Sequence, residues 1–210
     1  MFQTNCKKNL WFLGLALGIL PNALSGATAQ AISLELLPST QNVLLGDELA
    51  VDIAISGLGE DIAPSLSGFD LNISFDSNLF AYSSVTIGDP NLGDMLDLSD
   101  DPMSFAAVTP SVGTANFINI TPDAELPFLN SVQPDSFILA TLFLNTLGTG
   151  SSSLDLTVNA LVNSDRELLT VNNISNASVT VNRRSVPEPS FGWLSLGIVL
   201  AVALRKRVDN

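Results

Sequence analysis

The chain has 210 residues, with 21 acids against eight Lys and Arg and no histidine, giving a formal charge of −13. Its one cysteine, Cys6, lies near the start, so Ser-His and Cys-His nucleophiles and the usual zinc ligand sets are excluded from the rest. Between Ile32 and Asn182, Arg166 stands alone against nineteen acids; that net charge of −18 repels phosphate backbones and excludes nucleic acid as a partner.

Lys7 and Lys8 precede an apolar run, Leu10 to Leu20, which Pro21 and Asn22 break. Ala27-Thr28-Ala29-Gln30-Ala31 then offers two small-residue cleavage registers, after Ala29 or after Ala31. A charged start, a short apolar stretch and a small-residue exit predict a secretory signal peptide over residues 1–31, read by signal peptidase. The 32–182 stretch that follows is one domain in length and buries enough surface to fold without disulfides.

Alternation with period two dominates that stretch. Phe69, Leu71, Ile73 and Phe75 fall on one face, with Asp70, Asn72, Ser74 and Asp76 on the other. A half-buried antiparallel strand has this pattern, because successive side chains point to opposite sides of a sheet. Val51 to Ser56 and Leu154 to Asn159 repeat it, and Ala177, Val179 and Val181 close the domain. Phe137 to Leu144 is apolar on both faces, which predicts either a central strand covered on both sides or one crossing a sandwich corner. In Ala115 to Ile120 the apolar phase shifts between Phe117 and Ile118, and a β-bulge there is the simplest cause.

Turn chemistry separates these runs: Leu45-Gly46-Asp47, Gly57-Leu58-Gly59, Asp89-Pro90-Asn91, Pro122-Asp123, Pro134-Asp135 and Gly148-Thr149-Gly150. The expectation is an all-β sandwich of about nine strands with jelly-roll or Greek-key connections. Residues 85–110 are read as a long surface loop with at most one helical turn, at Gly93 to Leu98. Asp89, Asp94, Asp97, Asp100 and Asp101 crowd this loop. Carboxylate oxygens are what calcium requires, although the spacing is not that of an EF-hand, and turn formation and solubility account for the same residues. No other cofactor is called for. Asn72, Asn119, Asn173 and Asn176 begin sequons by spelling and are read as polar-face strand residues.

The chain ends in three parts. Val186-Pro187-Glu188-Pro189 lies in a linker over 183–190, Phe191 to Leu204 is a membrane-compatible run, and Arg205-Lys206-Arg207 opens a basic tail over 205–210. As a helix, those fourteen residues cover about 21 Å against a hydrocarbon core of about 30 Å, which makes a poor permanent anchor. The basic residues at both ends stay cytoplasmic by the positive-inside rule and leave the acidic domain outside.

Two resemblances sit on these residues. Leu45-Gly46-Asp47-Glu48-Leu49, the run Gly68 to Phe80 and the pair Ile138 to Leu144 with Gly148 and Gly150 resemble the cohesin-like family over roughly residues 32–182. That resemblance implies a jelly-roll sandwich of the cohesin and carbohydrate-binding type and docking of a dockerin-like module. The tail resembles the PEP-CTERM sorting signal, which implies recognition by an exosortase. An N-terminal signal helix and a C-terminal membrane helix then flank the sandwich.

The expected function is a non-catalytic binding module, exported and sorted to the cell surface or beyond from a membrane-anchored precursor. Its partner is envelope polysaccharide or another surface protein; a cohesin-type scaffold that binds a dockerin-like module is the alternative. Tyr82 is the only tyrosine, and Trp11 and Trp193 lie in the terminal apolar runs, so a stacking platform for sugars is poorly supplied. Two carboxylates across a cleft, as in a glycoside hydrolase, are the one catalytic arrangement these residues leave open.

Overall fold

The computed structural model describes residues 31–60, 62–99 and 104–185. These form two sheets packed face to face. One holds five strands in the order β10-β1-β3-β8-β5, the other six in the order β2-β11-β9-β4-β7-β6. The strands are β1 (Ile32–Pro38), β2 (Asn42–Leu44), β3 (Glu48–Ser56), β4 (Leu66–Phe75), β5 (Phe80–Ile87), β6 (Phe105–Ser111), β7 (Thr114–Ile120), β8 (Ser136–Thr146), β9 (Gly150–Asn163), β10 (Val171–Ser175) and β11 (Ala177–Asn182). A short helix, α1 (Leu126–Leu129), precedes β8.

Eleven strands replace the expected nine: the first and the last each break where they pass from one sheet to the other, and the stretch expected as loop over 85–110 instead begins with the end of β5 and ends in β6, which pairs with β7. β1 pairs with β3 in the first sheet, and three residues later β2 pairs with β11 in the second. Likewise β10 pairs with β1, then β11 with β9. The second crossing falls at Asn176. Its Oδ1 accepts the Leu156 N–H at 2.9 Å and its Nδ2 donates to Asp155 Oδ1 at 3.0 Å, so a side chain holds what the ladder gives up there.

The alternating runs meet across the core. Leu49, Val51, Ile53 and Ile55 of β3 and Leu34 and Leu36 of β1 face Leu71 and Ile73 of β4, Phe117 of β7, Leu154 and Leu156 of β9 and Val179 of β11, all buried. β8 is an interior strand of its sheet, between β3 and the edge strand β5. Its outward Ile138 and Phe143 are half-buried in register with Ala54, Ala50 and Ser84. The two-faced apolar run is thus an interior strand with a half-buried outer face, neither covered on both sides nor crossing a corner.

Three expectations need correction. No bulge separates Phe117 from Ile118: β7 pairs in unbroken register with both β4 and β6. Register shifts fall instead in β4, in β5 and between β3 and β8. Gly93 to Leu98 makes turns and no helix, while the helical turn lies at α1, where Pro127 suits a helix start. Asn119 is buried and faces inward, so it is no polar-face residue and its sequon is inaccessible. The signal segment and the 186–210 tail, with Val186, Pro187, Glu188, Pro189, Arg205, Lys206 and Arg207, lie outside the described residues; no described helix is long and apolar enough to cross a membrane.

Candidate functional site

Four adjacent strands of the larger sheet, β6, β7, β4 and β9, present one broad stretch of its outer face. Registered pairing places their outward side chains in rows. At the end nearest the start of β4, Phe105 pairs with Ile120, Ile120 with Gly68, and Gly68 with Val162. Val162 in turn bridges Leu168. Phe105 is 53%, Ile120 40% and Leu168 77% exposed, so an apolar row crosses the whole face. Gly68 notches it at the centre: a Cβ there would stand 3.3 Å from the Asn119 carbonyl oxygen.

The next rows turn polar. Ala107, Ile118, Asp70 and Ala160 are in register, then Thr109, Asn116, Asn72 and Thr157. Asn116 Nδ2 lies 2.6 Å from Asp70 Oδ1 and 3.0 Å from Asn72 Oδ1, and Asn159 Nδ2 donates to the same Asp70 oxygen at 2.9 Å. One carboxylate oxygen thus locks two amides from neighbouring strands. The bonded ladder holds Asp70 in place through that one oxygen. By strand spacing the four-strand patch measures about 15 by 20 Å between Cα positions, room for one helix of roughly 10 Å diameter. It carries no Lys or Arg.

At the far end of the same face, Ser74, Asp76, Ser151, Ser153 and Asp155 line a polar hollow of about 390 Å³. Ser153 Oγ donates to Asp155 Oδ2 at 2.8 Å. The buried Phe75 is the one aromatic residue in its lining.

The acidic loop divides by role. Asp89 Oδ1 accepts the N–H groups of Asn91 (2.8 Å) and Leu92 (3.1 Å), and its Oδ2 that of Ile138 (3.0 Å). Burial raises its pKa, but those three bonds outweigh it and leave the carboxyl below the ordinary value. Asp89 is a staple that ties the loop to β8. Asp94 points the other way, towards β7, with Leu96 N–H on Oδ1 and Asn119 Nδ2 on Oδ2. Asp97 follows one turn later, its N–H on the Asp94 carbonyl. Asp100 and Asp101 lie outside the described residues.

Glu125, which the sequence did not single out, is buried and accepts Leu98 N–H at 2.8 Å and the Ser99 hydroxyl. Among the described residues no three carboxylates group closely enough to hold a metal by themselves. The outward apolar row was also missed, although its signal was present: the phase shift at Phe117–Ile118 is two isoleucines turned out and one asparagine turned in.

Comparison with solved structures assigns the fold. The sixth cohesin of scaffoldin B from Acetivibrio cellulolyticus, solved in complex with a Cel5 dockerin mutant, aligns at TM-score 0.55 and 14% identity over 72% of this chain and 99% of that one. CaCohA2 from Clostridium acetobutylicum aligns at 0.54 and 19% identity, covering 73% and 92%. A non-cellulosomal cohesin from the hyperthermophilic archaeon Archaeoglobus fulgidus aligns at 0.51 and 14%, covering 72% and 91%. The sandwich therefore has the cohesin fold. No protein-family model matches the sequence, and no curated protein does.

Proposed function

We propose that this domain is a non-catalytic protein-binding module whose partner docks on the outer face of β6, β7, β4 and β9. The observation that carries the reading is the exposed row Phe105–Ile120–Val162–Leu168 beside the bonded Asp70 ladder. An apolar stripe next to fixed polar groups is the make-up of an interface core with its specificity-giving neighbours. Cohesins of the same fold were solved with dockerins, and this supports a dockerin-like module as the partner class and the scaffold reading over polysaccharide. With no cation on the face and a domain charge of −18, the partner is neutral or basic where it meets Asp70.

The ends of the chain fit the same role. The domain's last strand leaves at Asn182, beside Leu44, whereas the apolar row lies at the opposite end of β9, roughly 40 Å away. A precursor held by its C-terminal segment therefore presents the row outward. Export by signal peptidase, sorting by an exosortase at Val186–Pro189 and an extracellular or surface destination complete the proposal; the mass of the mature protein tests whether the tail is cut.

The binding claim is tested with full-length protein immobilised through its end and exposed to the extracellular fraction of its own cells. A captured protein that is lost with Phe105→Ser and Leu168→Ser, both exposed and free of core packing, supports it. Retention unchanged by both substitutions refutes the assigned face. The polar hollow at Asp155 supports a polysaccharide version, for which a glycan array is the check; binding lost with Asp155→Ala and untouched by Phe105→Ser would put that reading first.

A further inference from the structure

The loop end of the sandwich gathers negative charge around Asp94 and Glu125. Glu125 is buried and Asp94 half-buried. The donors bonded to these two carboxylates are neutral: the Leu96 and Leu98 N–H groups, the Asn119 amide and the Ser99 hydroxyl. Among the described residues Arg166 is paired with Asp123 and Arg184 with Asp47, both away from this loop. Burial pushes the Asp94 carboxyl up, and the nearby charges of Asp97 and Glu125 act in the same direction, against the bonds from Leu96 and Asn119. Like charges held together out of water need a counter-charge.

A second observation comes from the sheet. Asn119 is 1% exposed, and its Nδ2 donates to Asp94 Oδ2 at 2.8 Å, yet its Oδ1 has no hydrogen-bond partner. Both atoms belong to one planar amide, so the partnerless carbonyl oxygen sits on the same small group whose nitrogen meets the Asp94 carboxylate. Thr121, two residues further along the chain, is equally buried, and its hydroxyl oxygen is unpartnered too. Buried oxygens without partners, next to uncompensated carboxylates, are what a hard cation would satisfy.

We propose that Asp94, Glu125 and the Asn119 carbonyl oxygen form a calcium site that fixes the 88–99 loop to β7. Calcium takes six to eight oxygens from carboxylates, amide carbonyls and water, so two carboxylates with neutral oxygens suffice. Magnesium fits less well, because it demands near-ideal octahedral geometry and gives up water reluctantly. Few charged ligands place the affinity in the weak range of extracellular modules, roughly 10⁻⁴–10⁻³ M. The site differs from the one read from loop acids alone: Asp89 drops out as a backbone staple, and Glu125 and Asn119 enter from outside the loop.

The test uses full-length protein freed of metal by chelation, titrated with calcium chloride at neutral pH by calorimetry and thermal melting. One equivalent bound with a raised Tm, both abolished in the isosteric Asp94→Asn and Glu125→Gln variants, supports the site. Hydrogen exchange on the unaltered protein gives a readout independent of those variants: calcium should slow the amides of Leu96 and Leu98. No heat and no Tm change up to tenfold the weak limit overturns the proposal. So does binding that survives both variants, or slowed exchange confined to other loops. A Tm that rises only as pH falls, with no calcium response, assigns the compensation to a proton instead and also overturns it.

Discussion

Gln133 is the residue whose loss should be felt most. It is 0% exposed and sits after α1, where its side chain replaces a missing strand. Nε2 donates to the Leu66 carbonyl at 2.7 Å and to the Met95 carbonyl at 2.9 Å, while Oε1 accepts the Leu66 N–H at 2.7 Å. Gln133→Ala strands three buried backbone groups at about 1–3 kcal/mol each. Water entering the vacated space recovers part, so the expected loss is about 3–5 kcal/mol. Against a usual domain stability of about 5–15 kcal/mol, that threatens the fold itself. At about 2–4 °C per kcal/mol for a chain of this size, Tm should fall by roughly 6–20 °C.

Urea unfolding of the full-length protein, followed by circular dichroism, reads this directly. Gln133→Glu separates hydrogen bonding from volume, since a carboxylate keeps the shape but is acceptor-only and faces two carbonyl oxygens. Its folded pKa must rise above the unfolded value. The penalty is therefore complete above the folded pKa and relieved as pH falls through it towards the unfolded one. Protonation restores one of the two donors, so recovery should be partial. A loss under about 1 kcal/mol for Gln133→Ala, or a Gln133→Glu deficit that does not change with pH, would refute the account.

Asp89→Ala should cost about 1–2 kcal/mol at neutral pH, a modest figure because the side chain is partly solvated. Its folded pKa is depressed, so its contribution is present above the ordinary carboxylate value and lost as pH falls through the folded value; the gap to wild type in pH-dependent melts should close there. Thr146→Val keeps shape but removes the hydroxyl that accepts the Gly46 N–H at 2.8 Å and lies 2.8 Å from the Asp47 carbonyl; a loss of about 1–2 kcal/mol in urea unfolding is expected. Gly57→Ala should be worse than either, because φ there is +83° and a Cβ would fall 2.2 Å from the Ala31 carbonyl oxygen; a Tm within a degree or two of wild type would contradict that geometry.

Local pattern made the sandwich legible. In β3 and in most of β4 every second residue is apolar and every one of those is buried, because an alternating strand has one way to hide its apolar side. Gly46, Gly57 and Gly150 mark turns for reasons contained in their own backbone angles. The candidate site was less visible. The Asp70 ladder draws on β4, β7 and β9, residues up to 89 positions apart, and nothing in any one strand says that Asn116 and Asn159 will share an oxygen. β7 shows why. Alternation alone assigns Ile118 and Ile120 to the core and Asn119 to water, and a bulge was the only local device that could reconcile them with Phe117.

The sequence by itself determined that the domain is all-β, acidic, without disulfides and without the residues of common nucleophilic or zinc chemistry, since composition and period are properties of the chain taken one residue at a time. Tertiary structure decided which face stays open and which acids matter. It turned two isoleucines outward beside Phe105, set Asp89 to bonding backbone, and brought Glu125 and Asn119 to Asp94 from 31 and 25 positions away. Those outcomes depend on which strands become neighbours, and neighbourhood in a Greek key is fixed by long-range register.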